Sequence, residues 1–301
     1  MIIRYTLLYT LATLVAITAS SAFCSEGPFE NIANPKGAEG YTFSRKYVGL
    51  PVDQSMAIDQ MKVSDVICGP TAVLNAMLFG NNAFRSCYES VPGNDGPSKL
   101  SFVVNEYGRR PSTEYSNKPR IDKDGISSVD LLHLFNDLLT DNGDIRVNGE
   151  YIVRTKDEPS SDFLKKAHHK LLNSLKRGVP VVAHIRSFAA KRNHENEKMY
   201  WYSLSSHYVT ITKIPERLSG YEKGFIFEYI DPYRAEIESG YIGVEMNRGF
   251  NAKIGANKNY KWIKGKSLLL VRAPSLNLKT SEQRWHNRSI MTLNYVIGNI
   301  N

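Results

Sequence analysis

Residues 179–186 read VPVVAHIR. Val and Ile dominate, and Gly178 closes the helical pattern that precedes them. β-Branched side chains pack well on a pleated surface and lose rotamer freedom in a helix, so the run reads as a strand. Downstream the chain keeps this character in HYVTITKI (207–214), GFIFEYID (224–231), GYIGVEM (240–246) and SLLLVRA (267–273), separated by turn residues. Upstream the pattern is helical. GISSVDLLHLFNDLLTDNG (125–143) carries Val129, Leu132, Phe135 and Leu139 on one face, with Ser127 or Ser128 as its cap. SSDFLKKAHHKLLNSLKRG (160–178) carries Phe163, Ala167, Leu171 and Leu175. Helices in the first half and strands in the second predict an α+β architecture, with helices packed on a C-terminal antiparallel sheet.

The chain has 301 residues, 38 Lys and Arg against 30 Asp and Glu, and a formal charge of +8. The basic residues are scattered, and no stacking motif accompanies them, so a nucleic-acid partner is not expected. The N-terminus, MIIRYTLLYTLATLVAITASSAFCSEG, has one cation, a short apolar run and then small residues. That is the order of a secretory signal peptide, with cleavage after Ala22 or Cys24. A lipidated Cys24 is the alternative. No other stretch is apolar enough for a membrane span. The expected organisation is a signal peptide at 1–24, one domain over 25–274 and a C-terminal extension over 275–301. The expected location is exported, periplasmic or secreted. Cys24, Cys68 and Cys87 are too few for a disulfide framework.

Cys68 carries the chemical signal. It sits in DVICGPTAVLNA (65–76), where Cys68, Ala72, Asn75, Ala76 and Phe79 recur at helical spacing and Gly80-Asn81-Asn82 ends the pattern. Pro70 fits the first turn of that helix. Unpaired N–H groups at a helix start stabilise an anion, and a thiolate is one. The Cys68 N–H can also face a developing oxyanion. A thiol nucleophile needs an imidazole, and of seven histidines His207 is the candidate. It opens HYVTITKI directly after the small residues SLSS. His133, His168 and His169 lie on helices, His194 and His286 in charged or polar segments, and His184 inside VPVVAHIR, where a buried, hydrogen-bonded role suits it. The hairpin after His207 returns to Asp231-Pro232, which offers the imidazole an orienting carboxylate.

The order CGPTAVLNAM, LKRGVPVVAHI, HYVTITKI and a strand ending IDP resembles papain-like cysteine peptidases over about residues 60–235. It is most similar to the bacterial branch of double-glycine leader peptidases and their stand-alone relatives. The resemblance implies a papain-like fold, Cys68 as nucleophile, His207 as general base and acid, and Asp231 as its orienter. It also implies an oxyanion-hole Gln about six residues before the cysteine. Lys62 stands there, and the nearest is Gln60 in AIDQMKVSDVIC; Ser64 and Asn75 are other donors. The implied substrate is a peptide or isopeptide. Phytochelatin synthases, γ-glutamyl transferases or glutathione hydrolases, are a second resemblance, although Tyr-Val-Thr follows His207 here where they carry Phe-Ser-Pro. An inert binding protein is the third alternative, favoured if Cys68 and Cys87 were bridged. No cofactor or metal is expected: His168 and His169 are adjacent and point apart, and no metal-ligand or phosphate-loop motif occurs.

Overall fold

The structure is a computed structural model that describes residues 46–155, 157–192, 199–218, 223–244, 252–254, 261–263, 269–276, 278 and 289–300. The expected signal segment with Cys24, and His194 and His286, lie outside the described residues.

The chain opens with β1 (Tyr47–Gly49) and two 3-10 segments, Gln54–Met56 and Gln60–Lys62. Helices α1 (Cys68–Leu78), α2 (Asn82–Ser90) and α3 (Gly96–Glu106) follow, then β2 (Ile121–Asp122), β3 (Gly125–Ile126) and α4 (Ser128–Asn142). Next come β4 (Asn148–Tyr151), α5 (Ser160–Lys176), β5 (Val181–Arg192), β6 (Met199–Pro215), β7 (Gly224–Asp231) and β8 (Glu236–Gly243). The last strands are β9 (Ala252–Ile254), β10 (Lys261–Ile263), β11 (Leu269–Arg272) and β12 (Ser289–Gly298).

The sheet is closed, and this corrects the expected papain-like α+β fold of helices laid on an antiparallel sheet. β6 pairs with β5, β5 with β12, β12 with β11, β11 with β8 and β8 with β7. β7 then returns to β6 through Thr210–Ile230 and Ile211–Tyr229. The result is a closed antiparallel barrel of six strands. The physical reason lies in burial on both strand faces. Side chains alternate along a strand. Val182, Tyr208, Ile230 and Ile297 join a core with α1–α4. Their neighbours Val181, Ala183, Ile185, Val209, Ile211, Phe227 and Tyr229 join a second core with α5. An open sheet covered on one face would leave the second set in water, which closure prevents. The apolar segment IMTLNYVIG, from the expected C-terminal extension, forms β12 between β5 and β11 and supplies one of the six strands.

The helical layer differs locally from its sequence reading. Asn81 does not terminate α1; its Oδ1 accepts from the N–H groups of Ala83 and Phe84 and so starts α2. Within 92–126, a stretch rich in Gly, Pro, Ser and Asn, α3 forms behind an Asp95–Ser98 capping box with Pro97 in its first turn. Helix α4 is capped by Ser127, and it buries Leu131, Leu134, Phe135, Leu138 and Leu139. That stripe is rotated from the expected one, so that Val129 and Leu132 are only partly covered.

Candidate active site

Helix α1 is apolar all round, and Gly69 through Leu78 are buried. A helix of that kind belongs inside a core rather than on a surface. The Thr210 hydroxyl donates to the Ala72 carbonyl at 2.9 Å and pins α1 to β6. Gly69 permits the close approach of its neighbours: a Cβ there would lie 2.7 Å from Ile126 Cγ2 and 3.2 Å from Leu131 Cδ1. The first helical bond runs from Thr71 N–H to the Ile67 carbonyl, so the Cys68 N–H precedes the ladder. Cys68 itself is partly exposed at the helix start.

His207 does not open a strand. β6 begins at Met199, and His207 lies within it, opposite Ile185 of β5. The serine-rich approach lacks apolar alternation, yet it pairs with β5 up to a bulge at Ser187/Phe188. His207 Nε2 donates to Asp231 Oδ1 at 2.7 Å. Asp231 ends β7, is 2 % exposed, and also accepts from the Tyr233 N–H at 2.9 Å. With Nε2 committed to Asp231, Nδ1 is the ring nitrogen left for Cys68, whose thiol and the His207 imidazole act on each other electrostatically. Structure thus brings Cys68, His207 and Asp231 together in one relay.

Electrostatics favour the charged form of the first pair. Burial raises the Cys68 thiol, but the His207 charge, the His207 hydrogen bond and the Tyr208 and Gly69 N–H groups outweigh it and hold the thiol below its ordinary value. Burial alone would depress His207; the Cys68 charge and the bond to Asp231 instead push it up to about 10. Thiolate and imidazolium stabilise each other. Cys68 and Cys87 are both free thiols.

Gln60 is buried beside the same strand end. Its backbone N–H donates to the Pro232 carbonyl at 2.9 Å, and its side-chain Nε2 donates to the Asp65 carbonyl at 2.9 Å. Its Oε1 is buried with no partner among the described residues. One Nε2 hydrogen remains uncommitted. Asn75 serves a different purpose: its Oδ1 accepts the Ile58 N–H at 2.9 Å and anchors the segment leading to Gln60. Ser64 donates its N–H to the Gln60 carbonyl.

Three neighbours were not assigned to the site by motif. His184 is buried and stacks on Tyr208, the residue opposite it, at a centroid separation of 4.4 Å. Tyr208 donates to the Ile126 carbonyl at 3.3 Å, so Ser128 Oγ–H donates to Tyr208 and accepts from His184 Nδ1–H. This order leaves His184 Nε2 as a bare acceptor, buried without a partner among the described residues. Burial, with the charges of Arg186 and His207, holds His184 well below its ordinary value, so it stays neutral. The third neighbour, Arg186, follows His184 by two residues. The strand pairing that fixes these contacts is long-range, and a clue in sequence is limited to the alternation of His184 and Arg186 along one strand face.

No family model, curated protein or solved structure matches the chain. Its chemistry is read from the relay itself. Among the described residues no group of His, Cys, Asp and Glu is arranged to hold a metal ion, and no helix is long and apolar enough to cross a membrane. His133 is exposed, His168 Nε2–H donates to the Pro215 carbonyl at 2.7 Å, and His169 pairs with Asn173, all apart from the relay.

Proposed function

We propose that the chain is a thiol-dependent acyl-transfer enzyme, a cysteine peptidase-like hydrolase of peptide or isopeptide bonds. One observation carries this reading: a thiol at a helix start faces the charge of an imidazole that is itself hydrogen-bonded to a buried carboxylate. The Cys68 thiolate attacks the substrate carbonyl carbon; a C–S bond forms and the carbonyl electron pair moves to oxygen. The Cys68 N–H and the free Nε2 hydrogen of Gln60 are the donors we assign to that oxyanion. Collapse breaks the C–N bond, and His207 Nδ1 gives its proton to the leaving amine. Water then attacks the thioester while Nδ1 takes its proton, the C–S bond breaks, and the thiolate returns. Asp231 holds the ring orientation through Nε2 and offsets the imidazolium charge.

Export through the signal segment belongs to the same proposal. A peptide vinyl-sulfone probe tests the chemistry. Wild type should be labelled at Cys68, and His207→Ala should label about 100- to 10,000-fold more slowly. Equal labelling of the two proteins would overturn His207 as the activating base.

A further inference from the structure

Arg186 has a charged head and, among the described residues, no counter-ion. Side chains two apart on a strand leave the same face, so Arg186 shares a face of β5 with His184, and through the ladder with Tyr208. Among the described residues no carboxylate makes an ion pair with it, and its Nε is buried without a partner. The groups that act on it electrostatically are Tyr208, Tyr151, Tyr115 and Glu114. Glu114 is the single acid of that set and makes no ion pair with it. The loop that carries Glu114 is anchored at Ser112 and Thr113. Asp130, buried at the start of α4, accepts from Ser112 Oγ at 2.7 Å and from Thr113 N–H at 2.8 Å. Tyr208 lies between the guanidinium and the nucleophile, acted on by Arg186 and helping to hold the Cys68 thiol down.

A half-buried guanidinium with an unused donor is a costly arrangement unless a ligand completes it. The planar fork of Arg matches a carboxylate through two parallel hydrogen bonds. We infer that Arg186 is a specificity residue that anchors a substrate carboxylate beside Cys68, supplied by an acidic side chain or a free C-terminus. Burial also lowers the Arg186 guanidinium itself, which a bound anion would reverse. The inference rests on Cys68 being the nucleophile.

Three bromoacetyl probes test it on the full chain. Bromoacetyl-Glu-amide carries a side-chain carboxylate, bromoacetyl-Gln a terminal one, and bromoacetyl-Gln-amide neither. In each, the Cys68 sulfur displaces bromide. One acid should label Cys68 about 10- to 100-fold faster than the neutral probe, and which acid does so names the source of the carboxylate. The ratio should fall to about 1 in Arg186→Gln and survive in Lys46→Gln, a charge loss on an exposed side chain. Arg186→Lys, which keeps charge and loses the fork, should give an intermediate ratio and serves if Arg186→Gln fails to fold. Ready labelling by the neutral probe with no acid preference, or a preference that survives Arg186→Gln, overturns the inference and leaves the nucleophile standing. Failure of all three probes to label Cys68 overturns both.

Discussion

His207 Nε2 lies 2.7 Å from Oδ1 of Asp231, a carboxylate that is 2 % exposed and whose same oxygen also accepts the Tyr233 N–H. This bond commits one ring nitrogen and leaves the other for Cys68. Replacing Asp231 by Asn keeps an oxygen for both Tyr233 and His207 but removes the charge that offsets the imidazolium. Turnover should fall about 10,000-fold with little loss of thermal stability, read by peptide hydrolysis and a melting curve. Unchanged turnover would remove Asp231 from the relay.

Proton linkage of the ion pair gives stability a flat region. His207 is raised, so its contribution is full below the ordinary 6.5 and is lost as pH climbs through about 10. Cys68 is lowered, so its contribution is present above the ordinary 9.0 and is lost as pH falls through its folded value. Below 9.0, and above both 6.5 and the folded value of Cys68, the two changes cancel, because folded and unfolded chains each hold one proton on the pair. Stability from this pair should drop on both sides of that plateau in wild type, and Cys68→Ser should lose the plateau's alkaline edge. Denaturant midpoints across pH measure it.

His184 should show no protonation step in a nitrogen-detected NMR titration through the ordinary histidine range, because burial keeps it neutral. Its Nδ1 should report as the protonated nitrogen, as the order Ser128 to Tyr208 to Ile126 requires. A step near 6.5 would contradict the burial of its charge.

Gly69→Ala places a methyl against Ile126 and Leu131. Forced repacking of this kind costs about 1–3 kcal/mol. The variant should melt earlier and label more slowly at Cys68, and Ile126→Ala in the same chain should restore part of both.

Local chemistry was legible in the sequence, and long-range closure was not. Cys68 announces itself because Gly-Pro at a helix start serves the first turn, and strand-turn-strand length brings Asp231 back towards His207. Strand identities followed from β-branched runs. The barrel did not, because the β6–β7 return that closes it adds no local pattern beyond the hairpin already read. Position 207 looked like a strand start because SLSS carries no apolar alternation, although it pairs with β5. Helix α3 hid behind Asp95-Gly96-Pro97, which reads as a turn and acts as a cap. Arg186 carried no motif at all; its isolation becomes visible only once the neighbours across the fold are known.

The measurement that reaches the central claim most directly is the pH profile of iodoacetamide alkylation at Cys68, with Cys87 as the internal comparison. Cys87 is buried and raised, so it should react slowly until high pH. Wild-type Cys68 should react at a pH well below that of an ordinary thiol, and His207→Ala should shift its profile upward, because the imidazolium no longer opposes burial. A wild-type Cys68 that reacts only near pH 9, with a profile unmoved by His207→Ala, would contradict the thiolate–imidazolium pair.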